Sequence, residues 1–340
     1  MTPAIFGIAG PRLSDDERAF FKDSDPAGYI LFGRNCETRD QLRALTDDLR
    51  TIHGRDQLII SIDQEGGRVA RMKPPEWRKY PAGEVFANLY DVAPATAIEA
   101  ARVNAVAMGR ELADCGISVN FHAPFDVRRP ETVDAIGDRA LGSEPMQVAA
   151  LGRAVLHGLG EAGVVGCLKH MPGHGRATSD THYDLPTVTA DAEELESDIA
   201  PFRTLSAHPL GMSAHIVFEA WDPDTPATLS SRIIYDVIRG EIGFDGLLLT
   251  DDIDMQALNG SIPERSERAL AAGCDVVLNC WAKLEEMRDI VERCPDMTAK
   301  ALERLDRVHE AMGEPADGMP TEDLLAKRDA LLAVEPERAG

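Results

Sequence analysis

A chain of 340 residues, 44% hydrophobic and 27% charged, has room for one large domain or two ordinary ones and the makeup of a soluble globular protein. A net charge of −23 repels polyanions, which argues against nucleic acid or an anionic membrane as partner, and no apolar run nears the roughly 18 residues of a membrane span. The six cysteines form no CxxC pair and the first residues, MTPAIFGIAGPRLSDDE, carry no basic leader or cleavage-like site, so reduced thiols in a cytoplasmic protein are expected.

Along the chain, short apolar runs alternate with amphipathic stretches. Strands are predicted at AIFGIAG (4–10), GYILFG (28–33), QLIISID (57–63), GISVNFHAP (116–124), GVVGCLKH (163–170), LGMSAHIVF (210–218), GLLLTD (246–251) and DVVLNC (275–280). Helical patterns lie between and after them, at 14–22, 38–53, 96–115, 144–161, 190–205, 231–240, 263–272 and 282–293, several opened by a capping residue as in SDDERAFF. Eight strand–helix units predict an α/β fold, a (β/α)8 TIM-type barrel in a single domain over residues 1–313; a doubly wound open sheet is the alternative. The tail, 314–340, holds one short amphipathic helix, either closing the barrel floor or serving an oligomer contact.

Chemically capable residues gather where the apolar runs stop: Asp63 and Glu65, His122, Lys169 and His170, His215, then Asp251 and Asp252. The C-terminal strand ends of such barrels form the active face, which favours an enzyme over a binding protein. The most crowded stretch is CLKHMPGHGRATSDTH, 167–182. His170 and His174 have the four-residue spacing of a helical zinc pair, but Pro172-Gly173 between them is a turn signal, so no metal site is expected. In SDTH, Asp180 can accept a hydrogen bond from one nitrogen of His182 and leave the other to exchange protons. TDDIDM places Asp251 to attack an electrophilic centre or to stabilise positive charge. In IDQEGGRVAR, Asp63, Glu65, Arg68 and Arg71 are suited to holding hydroxyls or carboxylates. Neither GxGxxG nor a Walker sequence is present, so no cofactor is expected.

Taken together, DQEGGRVAR (63–71), IGDRALGS (136–143), KHMPGHGRATSDTH (169–182) and TDDIDM (250–255) resemble glycoside hydrolase family 3, specifically its single-domain bacterial β-N-acetylglucosaminidases. The resemblance implies Asp251 as nucleophile, His182 as acid/base and Asp180 as its dyad partner. It implies Asp63, Arg71, Arg139, Lys169 and His170 as the grip on the non-reducing sugar, with His174 and Arg176 shaping the loop. Met171 stands where the family often has Phe. The implied substrate is a small carbohydrate, a muropeptide of N-acetylglucosamine on anhydro-N-acetylmuramic acid, handled in peptidoglycan recycling. Rival readings are a β-glucosidase or xylosidase of the same family, a metal-dependent barrel hydrolase and a non-catalytic sugar-binding protein.

Overall fold

The computed structural model describes residues 1–181 and 183–334. Among the described residues, strands follow in chain order: β1 (Thr2–Gly7), β2 (Pro26–Leu31), β3 (Ile59–Ile62), β4 (Val119–Asn120), β5 (Leu168–Met171), β6 (Thr187–Val188), β7 (Leu210–Ser213), β8 (Val217–Phe218), β9 (Leu247–Asp252) and β10 (Val276–Asn279). Eight of them form one parallel sheet in the order β4-β3-β2-β1-β10-β9-β7-β5, while β6 and β8 pair with each other. The two sheet edges meet through parallel bridges, Val119 to Val165 and Pro124 to Lys169. The Asn120 N–H donates to Val165 O at 2.9 Å and the Cys167 N–H to His122 O at 2.9 Å, closing the sheet into a barrel.

The crossovers are α1 (Asp15–Ser24), α2 (Arg39–His53), α3 (Gly83–Tyr90), α4 (Pro94–Asp114), α5 (Pro145–Glu161), α6 (Ala192–Arg203), a π-helical segment Ile233–Glu241 and α7 (Ile262–Ala272), and α8 (Leu284–Arg293) follows the last strand. Two helices follow: α9 (Ala299–Ala311) and α10 (Thr321–Leu332). The caps are those the sequence announces. Ser14 accepts from the Glu17 N–H at 3.1 Å, and Glu17 accepts from the Ser14 N–H at 3.0 Å. The α2 face of Leu42, Leu45, Thr46 and Leu49 is buried against the barrel, each leucine contributing about 2 kcal/mol.

Alternation along the strands sorts the core into two layers. Ile5, Ile30, Ile59, Leu247 and Leu249 fill the barrel, whereas Phe6, Leu31, Ile60 and Leu248 pack outward against helices. Residues buried on both sides give strands the uninterrupted apolar spelling of LLL at 247–249. α9 contributes Ala301, Leu305 and Val308 to the inner layer, so this helix, absent from the sequence expectation, stoppers the barrel floor. α10 instead lies along α4: Leu324 is buried, Lys327 Nζ meets Glu99 at 2.5 Å, and Arg328 donates to Asn104 at 3.2 Å. The tail helix therefore does not close the floor.

All six cysteines are free thiols; Cys115, Cys167, Cys274 and Cys280 are buried. Among the described residues no helix is long and apolar enough to cross a membrane.

Candidate active site

The loop after β3 doubles back at Gly66 and Gly67, whose φ angles are +97° and +56°. A Cβ on Gly66 would lie 2.1 Å from Pro81 O, so the pair serves the turn and a close backbone approach. Gln64 Oε1 accepts from the N–H groups of Arg71 at 2.8 Å and Met72 at 3.1 Å, locking the loop's return. Asp63 and Glu65 thereby face the strand end of β5.

Glu65 is the hub of a buried charge cluster. Arg139 donates to it bidentately, both bonds at 2.8 Å, and Lys169 Nζ lies 2.7 Å away. Lys169 also reaches Asp63 at 3.3 Å, and Arg71 reaches the other Asp63 oxygen at 3.2 Å. Burial alone would raise the Glu65 carboxyl, but Arg139 and Lys169 overwhelm it and hold the group well below the ordinary carboxylate range. Lys169 is 2% exposed, yet its pKa is raised: burial disfavours the cation, and Glu65 and Asp63 more than compensate. With three N–H donors and two carboxylate partners, Lys169 keeps one donor for a ligand.

His170 is oriented by Asp126, a fully buried carboxylate whose Oδ2 accepts a hydrogen bond from Nδ1 at 2.8 Å. Asp126 Oδ1 also accepts the backbone N–H groups of His170 at 3.1 Å and His174 at 2.7 Å, pinning both ends of the MPG turn. The His174 ring stands edge-on to His170, centroids 5.5 Å apart, with its Nδ1 buried and without a hydrogen-bond partner. Burial, reinforced by His170, pushes the His174 pKa down to about 4. Arg176 turns away and bonds Asp198 at 2.8 Å, tying the loop to α6.

Asp251 is the penultimate residue of β9, 8% exposed, with its Oδ1 accepting the Asp252 N–H at 2.8 Å. Burial would raise its carboxyl; His170, that N–H and Lys169 hold it below the ordinary aspartate value, so it is ionised at neutral pH. The next carboxyl behaves oppositely: burial and Asp254 push Asp252 well up.

These strand ends enclose a cavity of about 390 Å³, within the usual range for small-molecule sites. Asp63, Arg71, Arg139, Lys169, His170 and Asp251 line it, with Asp180 and Thr181 contributed by the loop after β5. Asp251, Asp180, Asp63, Arg71, Arg139, Lys169 and His170, the described members of the expected catalytic and sugar-binding set, thus border one space, whereas Glu65, His122, His215 and Arg176 do not line it; His182 lies outside the described residues. Sequence reading missed Asp126, which follows the fourth apolar run in HAPFDV, and left Glu65 out of the sugar grip although it is the hub. His174 borders the cavity as well as shaping the loop. Among the described residues no group of three or more His, Cys, Asp or Glu side chains is arranged to hold a metal ion.

Residues 4–311 match the Glycosyl hydrolase family 3 N terminal domain. A beta-hexosaminidase of Alkalilimnicola ehrlichii is 38% identical over 312 residues, covering 90% of this chain and 88% of its own. One from Bordetella avium is 34% identical, covering 92% and 89%. Among solved structures, NagZ from Neisseria gonorrhoeae in complex with N-trifluoroacetyl-D-glucosamine superposes with a TM-score of 0.88 at 31% identity, covering 98% of both chains. A family 3 β-N-acetylglucosaminidase from a Paenibacillus species gives 0.86 at 29% identity, covering 97% of this chain and 66% of the other. The chain belongs to glycosyl hydrolase family 3 and is a glycosidase of its β-hexosaminidase type.

Proposed function

We propose that the protein releases terminal β-linked N-acetylglucosamine from peptidoglycan-derived muropeptides, with retention of configuration, as a cytoplasmic step of peptidoglycan recycling. The observation that carries this reading is Asp251: an ionised, nearly buried carboxylate on the wall of a sugar-sized cavity. In the first step Asp251 attacks the anomeric carbon while the protonated His182 donates to the departing oxygen, which breaks the glycosidic bond. In the second, neutral His182 takes a proton from water, whose oxygen displaces Asp251 and frees the sugar. Asp180 has the role of partner to His182 in this reading, favouring the charged form of the imidazole. Retaining enzymes ordinarily use two carboxyls about 5–5.5 Å apart; here an Asp–His pair replaces one.

Sugar hydroxyls are the partners for Asp63, for the remaining Lys169 donor, for Arg71 and Arg139, and for His170 held by Asp126. Support for the N-acetyl sugar comes from the names of the relatives and from the N-trifluoroacetyl-D-glucosamine held by the gonococcal NagZ. The muropeptide aglycone rests on the family resemblance.

Hydrolysis of aryl β-N-acetylglucosaminide against aryl β-glucoside, with Asp251→Ala and His182→Ala alongside, tests the reading. Asp251→Ala is expected to lose about 10³-fold or more in kcat/KM. Full activity in that variant overturns the mechanism, and preference for the glucoside overturns the substrate. Loss of activity on adding a chelator, restored by a divalent metal, would point to the metal-dependent rival.

A further inference from the structure

His215 follows β7 and is completely buried, directly behind the strand end that carries Asp251. Both ring nitrogens are committed. Nε2 is 3.0 Å from the Asp252 carbonyl, and Nδ1 is 2.8 Å from Thr228 Oγ1. Thr228 Oγ1 in turn lies 2.8 Å from Ser213 Oγ and 3.0 Å from the Ala214 carbonyl. A carbonyl only accepts, so the ring proton sits on Nε2. Burial lowers the His215 pKa against the pull of Asp251, so the ring is neutral at pH 7, with Nδ1 as an acceptor beside Thr228 Oγ1, whose single proton is shared between Nδ1 and the Ala214 carbonyl.

The Asp252 residue is therefore held at both ends. Its N–H bonds Asp251 Oδ1 at 2.8 Å, and its carbonyl is bonded by His215. We propose that His215 is a positioning residue for the nucleophile: by fixing the Asp252 carbonyl it keeps the Asp252 N–H on Asp251 Oδ1 and leaves Oδ2 as the attacking oxygen. This rests on the reading of Asp251 as nucleophile. A neutral donor suits the task. A cation so close would stabilise the carboxylate more strongly and blunt its attack on carbon, whereas an N–H anchored to backbone fixes direction at small electrostatic cost. For packing alone, an apolar side chain would fill the same space without two hydrogen bonds to satisfy.

The test compares His215→Leu, His215→Gln and Thr228→Val with wild type on aryl β-N-acetylglucosaminides carrying good and poor leaving groups. Inhibition by N-acetylglucosamine and thermal melting are measured in parallel. Because kcat/KM reports the glycosylation step, His215→Leu is expected to lose about ten- to a hundredfold on both aglycones alike, with the sugar's inhibition constant nearly unchanged. His215→Gln, whose amide N–H can reach the same carbonyl, recovers most of the loss. Thr228→Val, which frees Nδ1 and loosens the ring, falls between. A loss confined to poor leaving groups, a loss seen only as weaker sugar binding, or a glutamine variant no better than leucine would overturn the inference. If His215→Leu does not fold, the glutamine and valine variants still decide, since both at wild-type kcat/KM also overturn it. Full activity in Asp251→Ala would instead defeat the functional reading itself, whatever His215 does.

Discussion

Replacing Glu65 by glutamine removes one charge and almost no volume, which makes it a clean probe of the buried cluster. In the native site Glu65 neutralises Arg139 through two bonds of 2.8 Å and Lys169 at 2.7 Å, at 3% exposure. The variant leaves Lys169 with Asp63 alone and takes from Arg139 its carboxylate pair partner, and its amide N–H2 faces donors. Breaking a buried pair by removing one partner costs about 3–5 kcal/mol. With unfolding entropy near 2.1 cal/mol/K per residue, a chain of 340 residues loses about 0.7 kcal/mol per degree, so Tm should fall by about 4–7 °C. The pH dependence gives a second check. The folded Glu65 carboxyl ionises well below the ordinary value, so its contribution is complete above about pH 4.3 and fades as acid protonates it. Melts of both proteins near pH 7 should show the full gap, and melts in progressively more acidic buffer a narrowing one. An unchanged Tm near neutrality, or a gap that widens with acid, would refute the electrostatic account.

Asp126→Asn keeps an oxygen for the His170 and His174 N–H groups but presents an amide donor to His170 Nδ1, forcing the ring proton to Nε2. Sugar affinity should weaken by about tenfold, read as KM or as inhibition by N-acetylglucosamine; unchanged affinity would dismiss His170 as an oriented sugar ligand. His122 and His174, both driven to a pKa of about 4 chiefly by burial, stay neutral in the fold but protonate in the unfolded chain. Stability should therefore fall as pH drops from about 6.5 toward 4, on the order of 3 kcal/mol for each histidine, and His122→Asn should flatten that slope in denaturant titrations. Leu324→Ala should cost about 2–5 kcal/mol while leaving kcat/KM intact, because no α10 side chain lines the cavity; an activity loss at unchanged stability would contradict this placement.

The barrel was legible because parallel strands buried on both faces spell continuous apolar runs, and because Ser and Thr punctuate several helix starts and Gly some of the ends. The same spelling hides ladder length. GISVNFHAP reads as nine strand residues, yet only Val119–Asn120 form a regular ladder before the chain bends through His122 and Pro124 to close the barrel. α3 went unread because eight residues between turn signals give too few periods to stand out. α9 has a clear 3.6-residue face, but nothing local distinguishes a stopper from a surface helix; its role comes from where the strands put the floor. At the site, residues ending apolar runs were readable one by one. Asp126 was not, since its significance is a hydrogen bond to a ring 44 positions away, and such pairing has no signature in a single sequence.

The scattered thiols give the molecule a set of built-in reporters. Cys36 and Cys274 are raised by burial to about 12 and Cys294 to about 11, and Cys115, Cys167 and Cys280 are raised as well. A thiol in that state is nearly inert toward alkylating reagents until its surroundings open. Cys36 lies just beyond β2, Cys115 closes α4, Cys167 precedes β5, Cys274 and Cys280 bracket β10, and Cys294 follows α8. The labelling rate of each sulfur thus times the breathing of its own sector of the barrel, and a mass spectrum taken during slow alkylation would show which wall gives way first.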